Sequence, residues 1–296
     1  MTTIKQYVVA TRPWSFSMSA ISVSLGTLIA STDVAVSWGS FAAVLAGIVF
    51  CHAAGNVLND YFDTKSRVDR VDSATAIYRP HPVFAGLMSP RMVLAESVVL
   101  FALAAALGVA LILARSAIIL WIALAGLFLA VFYTGRPLNL KYRALGEVVV
   151  FLIWGPLMFE GAYVAQAGRL SPAALVASIP FGVLVALVLF ANNIRDIEHD
   201  ETTGIRTLAT VLGRERSLVA FAGLMVAAYL YVLVAVALSA LSAWSFLVFL
   251  SLPVALGLLR KFRVAFPPMA DALTAQLDTV FGLLFMAAMA IDRFTR

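Results

Sequence analysis

The stretch Leu187-Val188-Leu189-Phe190-Ala191-Asn192-Asn193-Ile194-Arg195-Asp196-Ile197-Glu198-His199-Asp200 passes within a few residues from lipid-like to acidic. An earlier stretch does the same: Ala53-Ala54-Gly55-Asn56-Val57-Leu58-Asn59-Asp60-Tyr61-Phe62-Asp63, with Asp69 and Asp72 following. Carboxylates at the edge of an apolar run are costly unless something neutralises them, so they point to function. Asn56 and Asp60, Asn59 and Asp63, Asn192 and Asp196, and Asp196 and Asp200 are each four residues apart. On a helix such pairs share one face about a turn apart.

The chain around these clusters reads as a polytopic membrane protein. Hydrophobic residues make up 62% of it and charged residues 12%, and the mean hydropathy is +0.96. A soluble domain carries about twice that share of charge. Nine apolar runs approach the length of a membrane span, roughly 14–32, 38–58, 91–113, 117–133, 146–166, 173–194, 217–237, 241–259 and 273–290. The fold expected is all-α, with nine transmembrane helices around a central cavity. Met1 to Arg12 is polar and no small-residue cleavage site follows a short apolar core, so no signal peptide is expected. The single cysteine, Cys51, excludes an intrachain disulfide.

The placement of charge is more informative than its sum of +5, which is no nucleic-acid signature. The N-terminal segment and the loops after the second, fourth, sixth and eighth runs hold 17 of the 21 basic residues. The other side holds only Arg115, Arg169, Arg293 and Arg296. The positive-inside rule then puts the N-terminus and both acid clusters in the cytoplasm. The longest polar connections, 59–90 and 195–216, fall on that face, and 134–145 is intermediate. The clusters end runs two and six, which suggests one domain over 1–296 built from two four-helix halves plus a ninth helix. Pro156 and Pro180 are expected to kink or break their helices.

Two facing groups of carboxylates suit magnesium, a hard cation that takes oxygen ligands and phosphate oxygens. Basic side chains after cluster one (Lys65, Arg67, Arg70, Arg79), in the middle loop (Lys141, Arg143) and after cluster two (Arg206) suit the remaining charge of a diphosphate. Ionising an allylic diphosphate gives a carbocation, which aromatic faces attract. Tyr61, Phe62, Tyr133 and Trp154 are the aromatic candidates; most other rings read as packing or lipid-facing. A single Asn-Asp-x-x-Asp run also reads as a solvated helix end, but two on the same side at corresponding helix ends favour a site.

These residues carry a resemblance to the UbiA superfamily of intramembrane aromatic prenyltransferases, whose two Asp-rich motifs read roughly N-x-x-x-D-x-x-x-D. Asn192, Asp196 and Asp200 match one motif. Asn59 and Asp63 match the other, where the next acid is Asp69 rather than position 67. That spacing resembles the branch acting on 1,4-dihydroxy-2-naphthoate. So do Thr11-Arg12-Pro13-Trp14, Tyr133-Thr134-Gly135-Arg136-Pro137 with Leu140-Lys141-Tyr142-Arg143, and Gly204-Ile205-Arg206-Thr207-Leu208-Ala209. Tyr78-Arg79-Pro80-His81-Pro82 departs from that branch and is closer to archaeal members.

The resemblance implies Mg2+-assisted transfer of a polyprenyl group from its diphosphate to an aromatic quinone precursor. Asp60, Asp63, Asp69, Asp196 and Asp200 would hold metal, and Tyr133 would join them in catalysis. Asn56, Asn59, Lys65, Arg67, Lys141, Asn192 and Arg206 would bind substrate. The implied partners are the donor, the aromatic acceptor and the bilayer, with no nucleic acid. Two alternatives stay open: a related enzyme that cyclises the chain or prenylates a non-aromatic acceptor, and a secondary transporter, whose inverted repeats and intramembrane acids look similar. Glu96, Glu160 and Asp278 each read equally as cavity-facing acids or as members of buried pairs. His81 reads as a loop residue between prolines before it reads as a base.

Overall fold

The computed structural model describes residues 4–65 and 81–295, so Arg67, Asp69, Asp72 and Arg79 lie outside the described residues. The regular structure of the described residues is helical, apart from one isolated bridge between Arg143 and Arg206. A short helix α1 (Ile4–Ala10) leads into α2 (Phe16–Ala30), α3 (Trp38–Lys65), α4 (Pro90–Ala114) and α5 (Ile118–Thr134). Then come α6 (Gly146–Leu152), a π turn (Ile153–Leu157), α7 (Met158–Ala167) and α8 (Pro172–Arg195). Two short helices follow, α9 (Ile197–Thr203) and α10 (Leu208–Leu212). The chain closes with α11 (Arg214–Ala237), a 3-10 segment (Ala243–Ser251) running into α12 (Leu252–Val264), and α13 (Ala270–Thr295).

Helix starts are written locally. Ser89 precedes Pro90 and accepts a hydrogen bond from the Met92 amide, and Ser171 precedes Pro172 and accepts one from Ala174. Serine caps satisfy an otherwise orphaned donor, and proline fits the first turn because its missing N–H is not needed there.

Among the described residues, seven stretches are long and apolar enough to cross a membrane. The runs expected at 14–32 and 117–133 form shorter helices of 15 and 17 residues. At 1.5 Å per residue these reach about 23 and 25 Å, short of a hydrocarbon core of about 30 Å.

The two prolines behave differently. Pro156 sits in the π turn, where Gly155 leaves helical geometry (φ −86°, ψ −107°). Pro180, expected to kink or break its helix, does not break it: α8 runs continuously from Pro172 to Arg195. A proline inside a helix frees the carbonyl four residues before it, here Val176. The Tyr231 hydroxyl of α11 donates to that carbonyl at 3.1 Å, so a neighbouring helix replaces the lost bond.

α8 is the central element, packing against α2, α6, the π turn, α11 and α13, while α3 packs along α4. Close approach comes from glycine. A Cβ on Gly182 would lie 2.9 Å from the Cα of Gly155, so α8 and the π turn meet backbone to backbone. Phe159, Phe181, Phe190, Phe221, Phe281 and Phe285 fill the main core.

Candidate active site

Each acid cluster ends a long helix, and both ends meet the same loop. In α3, the Thr134 hydroxyl donates to Asn59 Oδ1 at 3.0 Å. In α8, the Asn193 amide donates to Glu147 Oε1 at 2.9 Å. Thr134 and Glu147 bracket residues 135–145, so one segment is anchored to both clusters. The segment is itself docked on the loop after cluster two, where the Ala144 amide donates to the Arg206 carbonyl at 2.8 Å. It bears a pocket of about 460 Å3 lined by Arg136, Pro137, Asn139, Tyr142 and Arg143. Gly146 lets Tyr133 and Lys141 close in: a Cβ there would lie 3.6 Å from Tyr133 Cε2 and 3.6 Å from the Lys141 Cα.

Cluster one is covered by the N-terminal segment. Asp60 is fully buried and pairs with the Arg12 guanidinium. Arg12 adopts left-handed backbone geometry (φ 57°) as the chain turns from α1 into Pro13. Asn56 Nδ2 donates to the Thr11 carbonyl (3.0 Å) and Ser15 Oγ (3.2 Å). Deeper along the same face, His52 shares hydrogen bonds with Ser15 (3.2 Å) and Ser19 (2.8 Å). Its ring meets Phe16 and Trp154 edge to face. The π turn fixes Trp154, whose indole N–H donates to Ser19 and whose carbonyl accepts from Ser22. A line of packed rings, Phe16, His52 and Trp154, therefore leads from the first acid cluster into the bundle.

Cluster two is organised by Arg195, whose side chain is only 6% exposed. Its guanidinium donates twice to Asp196 (2.8 and 2.7 Å), to Asn192 Oδ1 (2.6 Å) and to the Pro268 carbonyl (3.2 Å). It also pairs with Asp271 at 3.2 Å. Asp200 is nearly buried in α9, and its carbonyl accepts the Ile205 amide. Outside the spans, Glu198 is held below the usual carboxylate range by its hydrogen bond to Arg214.

The two clusters thus share one end of the molecule. Asn56, Asn59, Asp60, Tyr133, Lys141, Asn192, Asp196, Asp200 and Arg206 gather there, and Asp63 belongs to the last turns of α3. Lys65 instead lies over the Tyr61 ring and Lys141 over Tyr142, at 5.8 and 5.3 Å. Arg67 and Asp69 fall outside the described residues. Among the described residues no three acidic, histidine or cysteine side chains converge in metal-holding geometry. The donor chemistry still fits magnesium: hard carboxylate and amide oxygens at two helix ends, with cations beside them.

Three residues beyond the sequence-based site set shape it: Arg12, Arg195 and Glu147. Arg12 and Arg195 stand in motif stretches and Glu147 follows closely after one, but their pairing depends on how the segments fold together. Of the ambiguous acids, Glu96 of α4 lies within electrostatic reach of Asp60. Glu160 lies elsewhere, accepting the Ser171 amide at 3.0 Å. Asp278 is fully buried, and among the described residues neither of its oxygens has a hydrogen-bond partner. His81 is buried in a turn, where Nδ1 accepts from the Val83 and Phe84 amides at 3.3 and 3.4 Å, the loop role expected of it.

A profile of the UbiA prenyltransferase family matches residues 19–289. The chain is 31% identical over 291 residues to 1,4-dihydroxy-2-naphthoate octaprenyltransferase of Bacillus subtilis, covering 96% of this chain and 92% of that one. It is 33% identical to UbiA prenyltransferase domain-containing protein 1 of Mus musculus, covering 95% and 82%. Among solved structures, a UbiA homologue from Aeropyrum pernix matches with a TM-score of 0.73 at 17% identity, over 93% of this chain and 97% of that one. A UbiA homologue from Archaeoglobus fulgidus bound to GPP and Mg2+ matches with a TM-score of 0.69 at 17% identity, over 96% and 99%. The likeness in fold, the profile and the relatives agree, and they set aside the transporter alternative: the chain is an integral membrane enzyme that transfers prenyl groups and belongs to the UbiA prenyltransferase family.

Proposed function

We propose that this enzyme transfers a polyprenyl group from an allylic diphosphate to an aromatic quinone precursor of the 1,4-dihydroxy-2-naphthoate type. The observation that carries the reading is the single segment 135–145 anchored to both acid clusters through Thr134–Asn59 and Asn193–Glu147. Its cations, Arg136, Lys141 and Arg143, are the ones that this reading turns toward a diphosphate. The naphthoate acceptor rests on the Bacillus subtilis relative, and Mg2+ on the archaeal homologue bound to it.

In this reading Asp60, Asp63, Asp69, Asp196 and Asp200 hold magnesium, and Asn59 and Asn192 orient ligands or phosphate. When bound, magnesium neutralises the leaving diphosphate. Lys65, Arg67, Lys141 and Arg206 bind the remaining phosphate charge, with Asn56 lining the site. The allylic C–O bond breaks with its electron pair leaving on the diphosphate. The rings of Tyr133 and Trp154 shield the cation from water and offer it their π faces. The acceptor ring supplies the electron pair of the new C–C bond. With a naphthoate acceptor its carboxylate then departs as carbon dioxide, returning the electrons to the ring.

The two shorter helices complete nine crossings around a central cavity. Residues 1–296 form one domain of two four-helix halves plus a ninth helix, in the cell membrane. The N-terminus and acid clusters face the cytoplasm, as the charge bias supports. The prenyl tail lies toward lipid, where burial of each methylene is favourable.

The test is to incubate the purified enzyme with labelled geranylgeranyl or farnesyl diphosphate, magnesium and a panel of acceptors. The panel holds 1,4-dihydroxy-2-naphthoate, 4-hydroxybenzoate and a glycerol phosphate lipid, with products read by mass spectrometry. Prenylated naphthoate, lost in Asp63→Ala and Asp196→Ala, is expected. Product on the glycerol phosphate lipid alone would overturn the aromatic acceptor; prenyl cyclisation without any acceptor would overturn transfer.

A further inference from the structure

Helices α11 and α12 leave between them a groove of about 460 Å3 on the perimeter of the bundle. Its walls include Val219 and Leu256, 74% and 52% exposed. Its floor is the ring pair Phe221 and Phe262, centroids 5.1 Å apart, both buried in the main core. The floor closes the groove toward the interior, so it opens outward. Its rim carries Arg260 and Arg263, with Lys261 beside them, all exposed. Among the described residues none of the three is in an ion pair.

The rim lies at the acid-rich end of the molecule. Arg214, which opens α11, pairs with Glu198 of the second cluster at 2.6 Å. In a membrane helix bundle that end is the interface, where head groups meet acyl chains. Cations near the end of α12 also offset its dipole. That accounts for their sign but not for an apolar trough running from them along the helices.

We propose that this groove binds an anionic phospholipid, one acyl chain lying on Phe221 and Phe262 and the phosphate meeting Arg260 and Arg263. Each half of the site argues for the other. A soluble anion would leave the exposed apolar walls unfilled. A neutral hydrocarbon would leave the guanidinium groups unused, and a zwitterionic lipid brings its own cation to a mouth already positive. Basic pockets between helices at this depth suit anionic head groups. The only acid of the first turn of α11, Glu215, is exposed and stands next to Arg216. The site is independent of the prenyl-transfer reading, since it shares no residue with the acid clusters.

The experiment uses the full chain in mixed micelles holding equal amounts of phosphatidylglycerol and phosphatidylcholine, with retained lipid counted by native mass spectrometry. Wild type is expected to keep phosphatidylglycerol in preference. Arg260→Gln with Arg263→Gln should weaken that retention by roughly thirtyfold, two surface cations being removed. Val219→Trp, which fills the trough without touching a charge, should release the lipid while the thermal unfolding of the protein stays as in wild type. Equal retention of the two lipids by wild type would overturn the proposal. So would phosphatidylglycerol retention unchanged in both variants, or its displacement by millimolar inorganic phosphate, which would reveal a site for a free anion.

Discussion

Asn193 and Glu147 meet at 2.9 Å, amide to carboxylate, where the end of α8 touches the start of α6. Both side chains are buried, and the second oxygen of Glu147 has no hydrogen-bond partner among the described residues. The pair is therefore a costly one to break. Glu147→Ala strands the Asn193 amide and should lower stability by about 1–3 kcal/mol, the penalty of an unpaired buried group. Glu147→Gln keeps an acceptor and should recover most of it. Denaturant or thermal unfolding in detergent measures both; an alanine variant as stable as wild type would break the argument.

Arg12 is the counter-charge of a fully buried carboxylate, Asp60. Removing one partner of a fully buried pair costs about 3–5 kcal/mol, and with the Arg12 side chain 26% exposed that range is an upper bound here. Arg12→Ala in magnesium-free buffer should lower stability by less than that bound. Adding Asp60→Asn should restore part of it. Non-coupled losses in the double variant would mean that the pair does not act as a unit.

Tyr231 and Pro180 are linked through the Val176 carbonyl. Tyr231→Phe should cost about 0.6–1.7 kcal/mol, the range for side-chain hydrogen bonds between membrane helices. Pro180→Ala returns an N–H to the helix and satisfies that carbonyl from within. The tyrosine variant should then cost clearly less in the Pro180→Ala background, and a double-mutant cycle reads the difference.

Away from the acid clusters, the Tyr163 hydroxyl donates to Asp33, and this bond more than any other holds the Asp33 carboxyl below its ordinary value of 3.8. Thr32 and Arg169 pull in the same direction. A depressed folded value means stability that is complete above pH 3.8 and drains away as the pH falls through the lower, folded value. Wild type should lose melting temperature over that acid window. Asp33→Asn should be less stable near neutrality and show a flatter profile there. Parallel pH profiles for the two proteins would remove Asp33 from the account.

Chelation offers the simplest functional check. Prenyl transfer should fall to background in EDTA and return with Mg2+, while melting in EDTA shifts only slightly, since Arg12 and Arg195 already neutralise Asp60 and Asp196. Full activity in EDTA would contradict the carboxylate roles.

The helices were legible because burial in lipid demands long apolar runs, and the acid clusters were legible because the two runs they end, 38–58 and 173–194, carry no charge of their own. Pro180 leaves its helix unbroken with Tyr231, fifty-one residues further along the chain, meeting the freed carbonyl, which no local pattern reports. Arg195 was hidden differently. It stands inside the motif, yet its closeness to Asn192 and Asp196 says only that they are neighbours. That it is nearly buried and also reaches Asp271 of α13 depends on packing. Arg12 meets Asp60 across forty-eight residues, by way of a turn whose direction the polar N-terminus does not announce.

The two anchors of segment 135–145 also differ in when they become available. As the chain emerges from the ribosome, Thr134 can find Asn59 once five helices exist, and Arg12 can reach Asp60 earlier still. Glu147 must wait for Asn193, through the π turn, α7 and the whole of α8. One half of the catalytic end is thus able to mature during synthesis, while the other stays unfinished, with a carboxylate in need of shelter, until the sixth long apolar run has entered the bilayer.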